Sequence, residues 1–465
     1  MTTTIDQPHW QSRLDELAAK HGVPGAQLGI LRLGADGGDD DEVVTAATGV
    51  LHAGTGQPAT TDSVWQIGSI SKVWTATVVM QLVDEGRFAL DTPVMEVLPE
   101  FRLREPETTA AVTVWHLLTH TSGIDGDLFT DTGRGDDALE KYVALLADSA
   151  QNHPVGATWS YCNAGYSVLG RIIEVVTGQT WDQAIKERLF SPLGLTHTTT
   201  LPEEAMVFAH AMGHIKGGEE PVVAPVWGGL PRAVGPAGLI TATVTDVLAF
   251  ARMHMTGGLA ADGTRVLSEE SVAAMSAYQT DCPEKHLLGD SWGLGWFRCD
   301  WRGHRAHGHD GNTVGQAAFL RILPEAGVAV ALTTNGGHTR DLYVNLYDEI
   351  FTELTGVRLP EPFEPPAEPV TADVAPYTGT YERESVRMEV LEDEGKPVLR
   401  VTVMGPLAEI EDIPVETYEM IPVEQDVYAV RPEGMESWAP VRFYSLPTGE
   451  EYVHYGARAT PKKLG

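Results

Sequence analysis

The sequence predicts two folded units: an α+β domain of antiparallel sheet and helices, followed by a small all-β barrel. Three observations carry this. Strand-like runs at Gln27–Leu33 and Val43–Val50, and again at Trp292–Phe297 and Gln316–Thr334, bracket a helix-rich middle. Between Leu359 and Pro369 the composition turns to Pro and Glu, which reads as a stiff linker. Beyond it, six or more short strands alternate with turn residues, a pattern that suits a small antiparallel barrel. The expected boundaries are 1–358, a linker over 359–370, and 371–465.

Each element follows from local pattern. A helix is expected over about Trp10–His21, then the two strands split by the acidic loop Asp36–Glu42. From Ser69 to about Glu85, apolar Ile70, Val73, Trp74, Ala76, Val79 and Leu82 share a broad helical stripe, and Gly86 closes it. Helices continue to about His286. Gln316–Leu323 and Gly327–Thr334 read as a hairpin, whose edge could pair with an extended peptide. A helix over about Arg340–Thr355 ends the unit. Gly54-Thr55-Gly56 lies among strands and reads as a hairpin turn. In the second unit the expected strands are Arg387–Leu391, Val398–Met404, Tyr418–Ile421, Val427–Val430, Val441–Ser445 and Glu451–Tyr455.

The 465 residues suffice for two or three domains. The formal net charge is −33, which argues against nucleic acid and against anionic membrane as partners. Three cysteines, Cys162, Cys282 and Cys299, give no disulfide framework and fit a reducing compartment. Met1–Trp10 lacks a basic start and an apolar core, and no run reaches the length of a membrane span. A cytoplasmic protein is the expectation.

Chemistry concentrates in three short segments: Ser69-Ile70-Ser71-Lys72, Tyr161-Cys162-Asn163 and His309-Asp310-Gly311. Ser69 falls at a helix N-terminus, where free N–H groups favour developing negative charge. Lys72, one turn on, can reach its hydroxyl. A desolvated lysine beside other cations has a lowered pKa and can accept the serine proton. The bland alternative is a serine cap with a surface lysine. Tyr161 and Asn163, two apart before a helix at about Ala164–Thr177, point the same way. The phenol can shuttle a proton, and the amide can hold Lys72 and bind a peptide group. Otherwise Asn163 is simply an N-cap. Cys162 reads as a small buried spacer. Gly311 would let a substrate backbone approach. The N–H groups of Ser69 and Asn312 could form an oxyanion hole.

Competing motifs fail. There is no Gly-x-Ser-x-Gly elbow and no phosphate-binding Gly-Lys-Ser/Thr loop. His116 and His120 lack the glutamate of a zinc helix and read as structural. His304, His307, His309 and Asp310 are spaced like metal ligands, but no second cluster completes a site, so neither a metal nor another cofactor is expected.

With these segments in this order, the chain resembles the penicillin-recognising serine hydrolases: class C β-lactamases, DD-peptidases, related esterases and D-aminopeptidases. Leu117-Leu118-Thr119-His120-Thr121-Ser122-Gly123, the Gly235-Pro236-Ala237-Gly238-Leu239 run and the Trp292–Trp296 segment add to the likeness, which covers roughly residues 10–355. The resemblance implies a β-lactamase/transpeptidase-like domain. In it Ser69 is the nucleophile, Lys72 and Tyr161 are the acid/base pair, and Asn163 is a substrate contact. His309-Asp310-Gly311 stands where the lactamases have Lys-Thr-Gly, a titratable imidazole for a permanent cation. The second unit resembles the lipocalin-like module of stand-alone penicillin-binding-protein-type thioesterases, which release and cyclise nonribosomal peptides. His309 to Gln316 looks especially like theirs. The resemblance thus implies a peptidyl thioester or ester substrate, free or on a peptidyl carrier protein. A D-specific peptidase, esterase or weak β-lactamase is the alternative; a non-catalytic peptide binder is a further one. Arg458, in a basic terminus next to a strand end, is a candidate for gripping a substrate carboxylate or carbonyl. Its alternative is a solvated tail.

Overall fold

A computed structural model describes residues 4–34, 40–216, 221–368, 370–405, 408, 415–432 and 435–463. Most of the acidic loop and Pro369 lie outside the described residues. The first unit is built on a nine-stranded antiparallel sheet. Its order is Gln57–Pro58, Glu42–His52, Gly25–Arg32, Val328–Thr334, Gln316–Leu323, His304–Thr313, Phe297–Trp301, Ser291–Trp292 and Thr280–Asp281. The early and late segments of this unit therefore meet in the middle of the sheet, where Gly25–Arg32 pairs with Val328–Thr334.

Strand alternation gives the sheet two apolar faces. On Val328–Thr334, Val328, Val330 and Leu332 face the helices Gln7–Lys20 and Thr339–Thr355; Ala329 and Ala331 face the helical region that carries the helix Ser71–Asp84, named the nucleophile helix for the role expected of Ser69. Small alanines on that second face let the helices sit close. Ser71 to Leu82 are all buried, so the nucleophile helix runs through the core rather than along it. The expected single apolar stripe was too narrow, because helices and sheet surround it on every side.

Two expectations need correction. Trp292–Phe297 is not one strand: Ser291–Trp292 and Phe297–Trp301 are separate, and Gly293 to Trp296 turn between them. Leu294 and Trp296 leave the sheet there and enter the core around the nucleophile helix. The hairpin Gln316–Leu323/Val328–Thr334 has no free edge, since His304–Thr313 and Gly25–Arg32 cover its two sides.

The second unit is all-β. One sheet holds Gly379–Arg383, Val386–Asp393, Lys396–Val403 and Glu416–Glu419; the other holds Ile421–Pro422, Val427–Val430, Ala439–Ser445, Glu451–Tyr455 and Arg458–Pro461. Only Met420 separates the sheets along the chain, and the first and last strands meet through the bridge Tyr381–Lys462 and a bond from Lys463 N to Thr380 O of 2.8 Å. Tyr381, Met388, Leu399, Tyr428, Phe443 and Val453 fill the interior. The Pro-rich segment does not act as a free spacer. Leu359 is buried with Val357 in the core under the sheet, and Phe363 packs on His286 with ring centres 4.7 Å apart.

Candidate active site

The nucleophile turn is set by close backbone contact. Gly68, at φ 51°, starts a 3-10 turn over Gly68–Ile70 that leads into the nucleophile helix. A side chain on Gly68 would come within 2.6 Å of Asn312 N, and one on Gly311 would strike Ile67 O at 1.9 Å. The expectation for Gly311 is therefore corrected: the backbone it admits is the protein's own. This contact presses the strand of His309 against the turn of Ser69 and sets the Ser69 and Asn312 amides side by side at the cavity wall.

Lys72 is wholly buried, which rules out the surface-lysine alternative. Its Nζ lies 2.7 Å from Asn163 Oδ1, 2.6 Å from Ala237 O and 3.1 Å from Ser69 Oγ. Burial first, then the Arg458 cation, push its pKa well below the usual range; Asp127 acts in the opposite direction. A neutral amine has two N–H donors and one lone pair. Asn163 and Ala237 offer acceptors for the two donors, which leaves the lone pair for the Ser69 hydroxyl.

Tyr161 follows the Leu117–Gly123 run in space. His120, at φ 58°, accepts a hydrogen bond from Cys162 N at 3.0 Å, and its ring lies 4.4 Å from that of Tyr161. Burial raises the Tyr161 pKa, so it stays a phenol; its hydroxyl faces Ser69 and lies 3.5 Å from His309 Nε2. His309 Nδ1 donates to Asp310 O at 2.6 Å, so Nε2 carries the lone pair that faces Tyr161. Burial and Lys72 lower the His309 pKa to about 3, and the imidazole is neutral at ordinary pH. The position that is a lysine in the lactamase pattern thus carries no charge here.

Asn163 is the first residue of its helix, Asn163–Thr177, and not the cap. Cys162 is the cap: its sulfur accepts from Gly165 N at 3.2 Å, and burial raises its pKa to about 12. That frees the Asn163 amide to bridge Lys72 and Asp127, whose Oδ1 accepts from Asn163 Nδ2 at 2.8 Å. Asp310 does not present a free carboxylate. Its Oδ1 is 2.5 Å from Arg321 Nη1, and both side chains are buried. The three imidazoles of the metal-like cluster go to different partners: His304 to Glu325, His307 against Trp296, His309 to Tyr161.

The second unit supplies one wall. Its last hairpin, with Ala457 at φ 67°, turns between Tyr455 and Arg458. Ala457 O accepts from Tyr161 N at 3.0 Å, and Ala459 N donates to Ser160 Oγ at 3.1 Å. Arg458 opens a strand instead of a loose tail. Its Nε and Nη2 donate to the two oxygens of Asp127 at 3.0 and 2.9 Å, and its guanidinium lies 4.9 Å from the Tyr161 ring centre. Arg383 Nη1 reaches the same carboxylate at 2.7 Å. Sequence reasoning missed Asp127 and Arg383; among 65 acidic residues nothing local marks one aspartate. It also missed Arg340, which has no ion pair among the described residues and lines the cleft.

These groups enclose a cavity of about 630 Å³ that reaches Ser69, Tyr161, Asn163, His309, Asn312 and Arg458. A second cavity, about 440 Å³, shares Leu287, Leu288 and Arg340 with it.

The chain is 50% identical over 382 residues to Penicillin-binding protein 4 of Amycolatopsis lactamdurans, a match covering 82% of this chain and 98% of that protein. The solved structure of SurE is similar over 98% of this chain and 99% of its own, at 28% identity and a TM-score of 0.76; SurE with D-Leu is similar at 27% and 0.75. The octameric penicillin-binding protein homologue of Pyrococcus abyssi shares the fold over 98% of this chain and all of its own, with a TM-score of 0.65 and 23% identity. A family model described as Beta-lactamase matches residues 10–351, most of the chain. On that match and the 50% identity, the chain belongs to the Beta-lactamase family of penicillin-recognising proteins.

Proposed function

We propose that the protein is a serine acyl-enzyme that releases, and joins head to tail, a peptidyl thioester ending in a D-residue. One observation carries the acyl-enzyme: the buried Lys72, whose two donors are engaged by Asn163 and Ala237 while its remaining position faces Ser69 Oγ. Ser69 attacks the carbonyl and passes its proton to Lys72. The Ser69 and Asn312 amides hold the oxyanion, and the proton taken up by Lys72 reaches the leaving thiolate through Tyr161, whose phenol gives one proton and takes one back. The substrate's own amine, bound in the same cleft, then attacks the Ser69 ester; as the amide bond forms and the ester bond breaks, the proton it loses passes by way of Lys72 and Tyr161 to Ser69 Oγ.

The D-Leu in the structure of SurE, which is similar along both units, supports the D-residue. With it we propose a catalytic domain over 1–358 and a lipocalin-like barrel over 371–465, for which the Tyr381–Lys462 closure speaks. The peptide arrives free or on a peptidyl carrier protein, in the cytoplasm, where three free cysteines suit a reducing milieu. Among the described residues no helix is long and apolar enough to cross a membrane.

A hydrolase is the second reading: a D-specific peptidase, an esterase or a weak β-lactamase. It is favoured by the 50% identity to a protein named for penicillin binding. Linear peptidyl thioesters with a C-terminal D-residue separate the two. A product one water lighter than the linear acid is the expected result. Linear acid alone, across several lengths, points to the hydrolase. Intact mass should show one acyl adduct, absent in Ser69→Ala.

A further inference from the structure

Asp127 is 6% exposed and is met by two arginines from the all-β unit, Arg383 and Arg458, whose side chains are 8% and 24% exposed. It also accepts from Asn163, which in turn accepts from Lys72. Four side chains thus form one chain of contacts: Arg383, Asp127, Asn163, Lys72. Arg383 touches neither Lys72 nor Ser69. Its Nη1 is shared between Asp127 Oδ2 and Ser385 Oγ, each at 2.7 Å, which fixes the guanidinium from its own strand end. Next to it, Glu384 N donates to Asp125 Oδ2 at 2.7 Å and anchors the same strand end on the catalytic unit.

We infer that Arg383 is a positioning residue of the catalytic machinery: by holding Asp127 it sets the charge balance around Asn163 and Lys72, so docking of the all-β unit completes the base. The inference rests on the acyl-enzyme reading of Ser69 and Lys72.

The charge count gives its sign. Two carboxylates, Asp125 and Asp127, face two guanidiniums, Arg383 and Arg458, so loss of either sign unbalances the cluster beside Lys72. The guanidiniums disfavour a further cation at Lys72, and the carboxylates favour one. The other groups facing Lys72 are the Ser69 hydroxyl, the Tyr161 and Tyr166 rings, the Cys162 thiol and the imidazoles of His309 and His120. Asp127 also faces Asp125, Cys162 and Tyr161. Both imidazoles and the thiol are held neutral by burial, so the balance lies with Asp125, Asp127, Arg383 and Arg458. Removing Arg383 deletes one positive charge; removing the Asp127 charge deletes one negative charge. The two changes must move the protonation of Lys72 in opposite directions.

The test is the pH profile of kcat/KM on a small activated ester, which reaches neither the remote cleft nor the second cavity. For Arg383→Met the acid limb is expected to move up by about one pH unit, a roughly tenfold loss on the acid side. Arg383→Lys, which keeps the charge, should restore most of the shift. Asp127→Asn, which can still accept from Asn163, should move the limb downward. If Arg383→Met does not fold, Asp127→Asn decides alone: a limb unmoved or moved upward overturns the inference. Uniform loss at all pH values in Arg383→Met, with the limb in place, overturns it too. Failure of the acyl-enzyme reading shows separately, as a wild-type protein that forms no adduct at Ser69.

Discussion

Two arginine–carboxylate contacts flank the cleft, and they hold different things. Arg321 and Asp310 sit on neighbouring strands, eleven residues apart, with the guanidinium between the rings of Phe297 and Tyr343 at 4.5 and 4.7 Å. That pair is closed off within one sheet and fixes the strand of His309. Asp127 meets Arg383 and Arg458 from 256 and 331 residues away and continues through Asn163 to Lys72. The same chemistry serves rigidity in one place and coupling in the other. The difference is the neighbour: Asp310 ends on a packed strand, whereas Asp127 ends on the amide that holds the base.

The comparison can be broken in several ways. The largest effect is expected at the base itself. Lys72→Ala or Ser69→Ala should lower turnover of an activated ester by about three to four orders of magnitude, with the fold kept, as read by initial rates and circular dichroism. Next, Arg321→Ala should act on stability, at a cost of about 3–5 kcal/mol, because it leaves the Asp310 charge buried without its partner. Denaturant unfolding measures this. Arg458→Ala should cost less stability, because Asp127 keeps Arg383, but it should lower turnover even of a small ester by about tenfold. Turnover unchanged on that ester would reduce Arg458 to a clamp between the two units.

A smaller effect concerns pH. Folding lowers the Lys72 pKa well below its ordinary value of about 10.4, chiefly by burial. The unfolded chain then binds more protons, so Lys72 makes stability rise with pH up to that value. Lys72→Met should flatten that rise on the approach to about pH 10, measured as unfolding midpoints against wild type. Smallest of all, Cys162→Ser keeps an N-cap and should change stability by less than about 1 kcal/mol. In the native protein the Cys162 thiol should resist alkylation, because burial keeps it protonated.

The nucleophile side was legible because its parts are close in sequence. Ser69 and Lys72 are one helical turn apart, and Tyr161 and Asn163 share one extended segment; their spacing alone brings them together. The His309 segment was legible by its order along the chain, but its neutral charge state was not, since burial and Lys72 decide it. The edge strand failed because alternation shows that a segment is a strand and not what lies beside it. Gly25–Arg32 and His304–Thr313 cover that hairpin from distant parts of the chain. The broken strand at Gly293–Trp296 failed for a related reason: Leu294 and Trp296 are drawn out of the sheet into the core. Asp127 and Arg383 could not be found by pattern, because an ion pair 256 residues long has no period.

By itself the sequence determined which serine, lysine and tyrosine to single out and the two-unit layout, since each is written in short-range spacing or in a change of composition. Only the tertiary structure decided that Lys72 is buried, that burial lowers the His309 pKa to about 3, and that the all-β unit reaches Lys72 through Asp127 and Asn163. Those properties depend on desolvation and on charges brought close by folding, and neither is set by neighbours in the chain.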